Sequence, residues 1–309
     1  MESVLPPTLA PQYVGLHQAA REYFLALQDR ICAALEQLDG GAHFREDGWE
    51  RPGGGGGRTR VIAEGRVFEK GGVNFSEVFG EFPADFARQL PGDGVHFTAV
   101  GISLVIHPRS PLVPTVHANF RFLTQGKAGW FGGGADLTPY YPYREDVIHF
   151  HKVWKRVCQR HAAVANYEEM KKACDEYFYL KHRQEARGVG GIFFDYAEAT
   201  EAMFAFVREA GDAFLDAYLP IVQRRKDLPY TPQQRWFQEY RRGRYVEFNL
   251  IYDRGTVFGL RTQGRTESIL MSLPPVVRYV YDYRPEPGSR EAELTEYWLI
   301  PQNWADMDA

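Results

Sequence analysis

Hydrophobic and polar residues alternate without interruption along residues 114–122, PTVHANFRF. Side chains of an extended chain point alternately to its two sides, so this segment predicts a strand with two different faces. The apolar face comprises Val116, Ala118, Phe120 and Phe122. The polar face comprises Thr115, His117, Asn119 and Arg121. A surface strand usually presents Lys, Glu and Thr, so an imidazole, an amide and a guanidinium in succession raise the question of a chemical role.

The segment before it, VHFTAVGISLVIHP at residues 95–108, alternates in the same way. Its two faces comprise Val100, Ile102, Leu104 and Ile106 on one side, and Gly101, Ser103, Val105 and His107 on the other. A short link rich in proline joins the two predicted strands, which favours an antiparallel pair. In such a pair, Ser103 and His107 share the polar face of the strand that carries His117.

Helical spacing of apolar residues predicts an amphipathic helix at 13–38, which Asp39, Gly40 and Gly41 end. Further helices are predicted at about 144–164, 166–183 and 198–219, the last ended by Pro220. Each of these segments repeats its apolar residues every three or four positions, which is typical of a helix that packs one face on a core.

RYVEFNLIYDRGTVFGLRT, residues 244–262, alternates again and predicts a β-hairpin that turns at Asp253, Arg254 and Gly255. Strands, then helices, then strands, with no internal repeat, predict an α+β fold with an antiparallel sheet. We expect one domain over residues 1–309, with about 1–12 and 300–309 as peripheral tails.

Composition excludes several classes of protein. Hydrophobic residues make up 44% and charged residues 25% of the chain, and the net charge is −4, so neither nucleic acid nor an anionic membrane is an expected partner. No apolar run approaches the roughly 20 residues of a membrane span. Three cysteines without a C-x-x-C motif favour reduced thiols, and the N-terminus has no targeting pattern, which together predict a cytoplasmic protein.

A run of five glycines, Gly53 to Gly57, is flanked by Arg51, Arg58 and Arg60. Such a run has little conformational preference of its own, so we expect a loop that is mobile or that a ligand orders. It lacks the Gly-Lys-Ser/Thr ending of a phosphate-binding loop. A flexible linker and an anion-clamping loop therefore both remain open.

Arg121 needs an anion if its strand lies within a covered sheet, because a buried guanidinium is costly unless it is paired. That anion is either an internal carboxylate or a carboxylate of a substrate, which arginine can bind with two hydrogen bonds. Two further motifs supply carboxylates after glycines: Asp136 in WFGGGADLTPYYPY and Asp195 in RGVGGIFFDY. Asp136 is either a turn-forming residue or an acceptor for the N–H groups of a heterocycle.

Several of the nine histidines could converge for proton transfer or metal binding. His149 and His151 are two apart on a predicted helix, so at most one of them faces such a site. The chain has no H-E-x-x-H motif, no nucleophile elbow and no dinucleotide-binding fingerprint. The residues themselves thus indicate an α+β protein with a His, Asn, Arg and Asp site for a flat anionic molecule.

Long blocks of the sequence resemble the oxygen-dependent coproporphyrinogen oxidase family. The blocks are SLVIHPRSPLVPTVHANFRF (103–122), WFGGGADLTPYY (130–141), YFYLKHRQEARGVGGIFFDY (177–196) and RRGRYVEFNLIYDRGTVFGLRTQGRTESILMSLPP (241–275). The resemblance extends from about residue 16 to 299. It implies a large antiparallel sheet flanked on both faces by helices, in a homodimer with 241–275 at the interface.

The resemblance also implies the reaction. Coproporphyrinogen III would lose CO2 from the propionates of rings A and B, which become vinyl groups, to give protoporphyrinogen IX and H2O2 in haem biosynthesis. O2 would be the co-substrate, without an organic cofactor and with a divalent metal such as Mn or Fe in some members. A metal-dependent oxygenase and a non-catalytic tetrapyrrole carrier are the alternatives.

The site residues implied by the resemblance fall into three groups. His117 matches a proton donor, and Asp136 matches an aspartate that engages the pyrrole N–H groups. The substrate-binding positions are Ser103, Asn119, Phe120, Arg121, Gln263, Gly264 and Arg265. The metal positions are His107, His117, His151 and His182.

Overall fold

One antiparallel sheet of seven strands organises the protein, for which a computed structural model describes residues 6–261 and 264–308. The strands, in chain order, are β1 (Arg45–Glu50), β2 (Gly55–Ala63), β3 (Phe68–Glu81), β4 (His96–Pro108), β5 (Thr115–Gln125), β6 (Ala128–Thr138), β7 (Tyr179–Leu180), β8 (Glu185–Ala186) and β9 (Gly190–Glu198). The sheet has the spatial order β1-β2-β3-β4-β5-β6-β9, and β7 pairs with β8 separately.

Helices flank this sheet on both faces. They are α1 (Val14–Asp39), α2 (Ala84–Ala87), α3 (Arg144–Arg160), α4 (Tyr167–Tyr177), α5 (Glu201–Arg225), α6 (Pro232–Ile251), α7 (Arg254–Arg261), α8 (Thr266–Leu270) and α9 (Arg290–Glu293). Short turns of 3-10 helix span Pro11–Tyr13 and Trp304–Asp306, and a π-helical turn spans Leu294–Trp298. None of the described helices combines the length and the apolar character that a membrane crossing requires.

The predicted strand pair is confirmed. β4 and β5 are antiparallel, with Ser103 opposite Asn119 and Val105 opposite His117. Phe120 and Phe122 are buried in the core, whereas His117, Asn119 and Arg121 of the polar face are half-buried. The alternating pattern therefore identified both the strand and the face that each side chain occupies.

The apolar face of the sheet packs against α1 and α5, and α3 packs on α5. Phe131 of β6 and Phe204 of α5 illustrate this contact, with stacked rings whose centroids are 5.7 Å apart. Burial of each such ring stabilises the fold by about 2 kcal/mol. Within the predicted tail 300–309, Trp304 is also buried and stacks on Trp298.

The polar face is covered by α6 and by the segment that includes α8. Ser268 hydrogen-bonds Thr59 of β2 at 2.7 Å, and the Ser272 carbonyl accepts a hydrogen bond from His107 of β4 at 2.8 Å. Asn249 of α6 donates to the Ser272 hydroxyl. The α+β architecture with helices on both faces, which the resemblance implied, is thus confirmed.

The predicted hairpin at 244–262 is wrong, because α6 and α7 occupy this stretch. α6 begins with a capping box, in which Thr231 and Gln234 each accept a hydrogen bond from the backbone N–H of the other. Its interior buries ion-paired residues that conceal the helical spacing of apolar residues. These residues are Arg241, Arg242, Arg244 and Glu247.

The predicted end of α5 at Pro220 is also wrong, because the helix continues to Arg225. Proline has no N–H, so the carbonyl of Asp216, four residues earlier, loses its partner within the helix. His149 of α3 supplies a replacement, since its Nε2 hydrogen-bonds the Asp216 carbonyl at 2.9 Å. The contact between the two helices therefore compensates for the proline.

The glycine run is not a mobile loop, because Gly55, Gly56 and Gly57 belong to β2. A Cβ atom on Gly57 would lie 2.3 Å from the Trp49 ring, so glycine is required for these strands to approach. Arg58 and Arg60 both pair with Asp29 of α1 at 2.7 Å. Their charges are thus neutralised within the protein, which argues against an anion clamp.

Asp39 holds the connection between α1 and the β2–β3 turn. Its carboxylate accepts backbone N–H hydrogen bonds at 2.8–3.1 Å from Ala42, Arg66, Val67 and Phe68. Burial alone would raise the pKa of Asp39, but these N–H donors, led by Phe68, lower it below the usual value. The ionised carboxylate therefore contributes stability that is lost as the pH falls through the lowered pKa.

We expect Asp39→Ala to reduce the free energy of unfolding by about 3 kcal/mol, because four N–H donors lose a charged acceptor. Urea unfolding at pH 7 measures this loss, with Asp212→Ala as a control for an exposed aspartate. The difference from the wild type should shrink below about pH 4, where the carboxylate becomes protonated. A loss below about 1 kcal/mol at pH 7 would contradict this role.

Candidate active site

A row of short side chains crosses the polar face of the sheet. Strand register aligns Asp47, Thr59, Asn74, Ser103, Asn119, Gly134 and Phe193 across the seven strands. The adjacent row is formed by Gly57, Ser76, Gly101, Arg121 and Gly132. We call the central part of these rows, Asn74, Ser103, Asn119, Gly101 and Gly134, the polar floor. Because its side chains are short or absent, the polar floor suits a flat ligand.

A buried hydrogen-bonded chain lies beside the polar floor. His117 Nδ1 lies 2.8 Å from Asp136 Oδ1, and the strand register places the two residues directly opposite each other. Arg187, from the segment before β9, contacts both Asp136 oxygens at 2.9 and 2.8 Å. The Asp136 and Arg187 side chains are each only 2% exposed. The Asp136–Arg187 pair is therefore buried and holds the His117 ring in place.

Aromatic rings enclose Arg187 on its remaining sides. Its guanidinium carbon lies 4.0 Å from the centroid of Phe178, 4.6 Å from Tyr245 and 4.7 Å from Phe248. Asn249 accepts a further hydrogen bond from Nη1 at 3.2 Å. Cation–π contacts with these rings offset part of the cost of removing a guanidinium from water.

The charges of the pair determine the state of His117. Burial alone would raise the pKa of Asp136, but Arg187, with a smaller contribution from His117, lowers it below the usual value. Burial would likewise lower the pKa of Arg187, whereas Asp136 raises it. An ionised Asp136 can only accept, so His117 Nδ1 carries the hydrogen that bonds it. Its Nε2 has no hydrogen-bond partner among the described residues, so it is the ring nitrogen open to a ligand.

Arg121 rises from the polar floor and is paired within the protein. Its Nη2 lies 3.0 Å from Asp195 Oδ2, and its Nη1 donates to Asn119 Oδ1 at 2.9 Å. The side chain of Arg121 is still 30% exposed. In the free protein the expected anion is therefore an internal carboxylate, and the guanidinium also remains accessible to a ligand.

A second arginine lies at the opposite end of the row. Arg265 forms an ion pair with Asp47 and donates to the Ser268 hydroxyl at 3.0 Å. Four strand spacings of about 4.8 Å, on the order of 20 Å in total, separate Asp47 from Asn119, the residues that Arg265 and Arg121 contact. Gly264 lies beside Arg265, and Gln263 falls outside the described residues. The two arginine ends suit a ligand with carboxylates on opposite edges.

Phe120 does not share the face of the other implied substrate-binding residues. Its side chain is buried in the main core on the opposite side of β5. Only its backbone borders the polar floor. Ser103 and Asn119, by contrast, are half-buried and directly opposite each other on the polar face of the sheet.

The four histidines implied as metal ligands are not brought together. His107 contacts the Ser272 carbonyl and the Thr115 hydroxyl, and His151 contacts the Val189 carbonyl and the Tyr167 hydroxyl. His182 contacts Glu247 and the Tyr252 hydroxyl. Within residues 6–261 and 264–308, no group of three or more His, Cys, Asp or Glu residues could hold a metal ion.

The tautomers of His107 and His151 explain why these histidines do not form the implied metal site. A carbonyl can only accept, so Nε2 of His107 and of His151 carries the proton, and Nδ1 of each accepts from a hydroxyl. No lone pair remains for a metal. Burial, with a smaller effect of Arg242, lowers the pKa of His107 well below its usual value, and burial with Lys171 lowers that of His151 to about 3. The described residues therefore do not fit the implied metal site.

Arg187, Phe178 and Asn249 were not predicted from the sequence. Arg187 stands in the block EARGVGG, where nothing local distinguishes it from a solvated charge. Its role depends on the approach of that segment to Asp136, which is 51 residues away in sequence. A buried aspartate that needed a counter-charge was the one signal that could have led to it.

The fold and this site have the features of an enzyme, because a histidine, a buried carboxylate and arginines meet on one face of an antiparallel sheet. A comparison with protein families agrees: the family model for coproporphyrinogen III oxidase matches residues 19–304. The chain belongs to the coproporphyrinogen III oxidase family. It is an oxidoreductase of haem biosynthesis that carries out an oxidative decarboxylation.

We expect Asp136→Asn to reduce the free energy of unfolding by about 3–5 kcal/mol, because it leaves Arg187 buried without its counter-charge. The double variant Asp136→Asn/Arg187→Met should recover much of that stability in urea unfolding, since it removes both charges. Turnover should be at least about 100-fold lower than that of the wild type in both the single and the double variant, because His117 loses its orienting carboxylate in each. A double variant no more stable than Asp136→Asn would contradict this account.

Proposed function

We propose that the chain uses O2 to convert the propionates on rings A and B of coproporphyrinogen III into vinyl groups, yielding protoporphyrinogen IX. The observation that carries this proposal is the position of His117, whose free Nε2 lies beside a floor of small residues with arginines at both ends. This arrangement supplies a proton-transferring group and two carboxylate-binding groups around a surface for a tetrapyrrole macrocycle.

Two propionates would bind Arg121 and Arg265, as the arrangement of these arginines supports. Ser103 and Asn119 would contact the ligand from the polar floor, together with Gly264 and Gln263. Arginine suits this role because its planar guanidinium matches a carboxylate in geometry as well as charge. Phe120 would contribute its backbone.

Asp136 is assigned a positioning role. Both of its oxygens already accept hydrogen bonds from His117 and Arg187, so its capacity for pyrrole N–H groups is small. We assign proton transfer to His117 Nε2 and assign to Asp136 the orientation of that ring. This division follows the general arrangement in which a buried carboxylate fixes the tautomer of a histidine.

The reaction balances with O2 as the electron acceptor. For each propionate, one side chain –CH2–CH2–COO⁻, one O2 and one H⁺ become –CH=CH2, CO2 and H2O2. The electron-rich tetrapyrrole supplies two electrons to O2, a proton leaves the β-carbon, and the C–C bond to the carboxylate breaks to form the vinyl double bond. His117 moves the proton, and the arginines hold the carboxylates. The described histidines do not fit a metal site, because carbonyl or carboxylate groups already engage His107, His151 and His182.

A homodimer with residues 241–275 at its interface is also proposed. Large apolar side chains are exposed in and directly after this region: Leu250, Ile251, Leu260, Val276, Tyr279, Val280 and Tyr281. Burial of such a patch against a second copy would stabilise association. Cytoplasmic localisation is proposed from the three buried free thiols, which suit a reducing compartment.

Purified protein incubated with coproporphyrinogen III should form protoporphyrinogen IX under air and none without O2. Chromatography with fluorescence detection measures the vinyl products after oxidation. His117→Gln should lower turnover at least about 100-fold with little change in substrate binding, because it removes proton transfer alone. Binding without O2-dependent conversion would instead identify a carrier, and restoration of activity by Mn²⁺ or Fe²⁺ after chelation would require a metal.

We expect Ile251→Asp to shift the protein from dimer to monomer in sedimentation experiments, because a charge would be buried at the proposed interface. Ile251 is 55% exposed, and Ile300→Asp provides a matched control at a side chain 53% exposed outside 241–275. A dimer that survives Ile251→Asp and dissociates with Ile300→Asp would place the interface elsewhere.

A further inference from the structure

Asp195 is the anionic partner of two arginines at one end of the polar floor. Its Oδ2 lies 3.0 Å from Arg121 and 3.5 Å from Arg254, so two guanidinium groups share one carboxylate oxygen. The Asp195 side chain is 13% exposed and that of Arg254 is 54% exposed. The three groups together carry a net charge of +1 at the edge of the sheet.

An irregularity in the sheet holds Asp195 in this position. The register between β6 and β9 shifts between Phe131 and Gly133, which is the position of Gly132. The residue after Asp195, Tyr196, has a positive φ of 56°, and its N–H donates to Asp195 Oδ1 at 3.1 Å. A β-bulge of this kind is a feature that re-aims a side chain. Here it directs the carboxylate toward Arg121.

Gly132 provides the space for this contact. A Cβ atom at Gly132 would lie 2.6 Å from Asp195 Oδ1 and 2.9 Å from Arg121 Nη2. The ion pair therefore lies directly over a position that has no side chain. Arg254 reaches the same oxygen from α7, with its guanidinium carbon 4.9 Å from the Tyr177 ring and 5.8 Å from the Phe193 ring.

We propose that Asp195 competes with a substrate propionate for Arg121 and Arg254. It pairs with both arginines in the free protein, and the substrate must displace it to bind them. This inference rests on the proposed function and concerns how the site binds the carboxylates of its substrate. A bound propionate would gain the two guanidinium groups but would displace or repel Asp195. The residue thus limits the affinity of the site for polycarboxylates.

The inference predicts that loss of the Asp195 charge tightens binding. Asp195→Asn keeps the side-chain shape and removes the competing charge, so coproporphyrin III, an oxidised tetracarboxylate that needs no turnover, should bind about three- to fivefold more tightly. Quenching of its fluorescence measures the dissociation constant. The difference should narrow as salt is added, because ions screen partly exposed charges.

Asp212→Asn is the matched control, since it changes the net charge equally and removes an Arg–Asp pair between α1 and α5. It should bind coproporphyrin III as the wild type does. Equal or weaker binding by folded Asp195→Asn would overturn the inference, because Asp195 would then merely support Arg121. Circular dichroism and thermal unfolding establish that the variants are folded.

Arg254→Gln provides a second test should Asp195→Asn not fold, because Arg254 is largely exposed. Two cooperating guanidinium groups predict binding about three- to fivefold weaker than the wild type, and unchanged binding would overturn the two-arginine arrangement. Failure of wild-type protein to bind coproporphyrin III would count against the substrate class of the proposed function. Normal wild-type binding with no tightening in Asp195→Asn would count against this inference alone.

Discussion

The buried ion pair between Asp136 and Arg187 is the interaction on which the rest of the site depends. Two opposite charges that are each 2% exposed are expensive to remove from water, and good geometry must offset that cost. Here the two contacts to the carboxylate, three aromatic rings and the Asn249 hydrogen bond do so. The pair also links β6, the segment before β9 and α6. Without it, His117 would have no fixed orientation.

The register of the sheet aligns further polar residues beside this ion pair, so that together they form an extended surface. His117 belongs to the row next to the polar floor, so the same strand that carries it presents Asn119 and Arg121 along one face. Strand spacing then separates Asp47 and Asn119, the residues that the two arginines contact. A rigid scaffold of this kind positions groups more accurately than loops alone, which matters because proton transfer requires contact at hydrogen-bond distance.

Sequence patterns correctly predicted the helices and strands whose apolar residues recur with a regular spacing. α1 and the β4–β5 pair follow from apolar periodicity, and their faces were predicted correctly, including the polar row of β5. α6 was mistaken for a hairpin because it buries Arg242 and Glu247, whose partners come from other elements. The glycines of β2 have low strand propensity, and neighbouring strands impose their conformation. In both cases tertiary contacts overrode the local signal.

The sequence indicated candidate residues, including Asp136 and Asp195 in their glycine motifs, but not which of them would meet. His117, Asn119 and Arg121 follow from one alternating segment, whereas the partners Arg187 and Asp195 depend on the approach of β9 to β6. The metal assignment depended on the expectation that histidines of suitable type would converge. His107 and His151 are instead buried and hydrogen-bonded to carbonyl and hydroxyl groups. The type of residue alone does not reveal these partners.

The row across the sheet has a chemical property beyond its shape. Its members are Asp47, Thr59, Asn74, Ser103, Asn119, Gly134 and Phe193, so it contains neither thiol, thioether, phenol nor indole. Cysteine and methionine are the side chains most readily damaged by peroxide, and all three cysteines of the chain are buried. Peroxide released at this row would therefore meet no readily oxidised side chain within it, and the nearest such groups include the Trp49 indole, which donates to Thr59, and the Met271 thioether over Gly72.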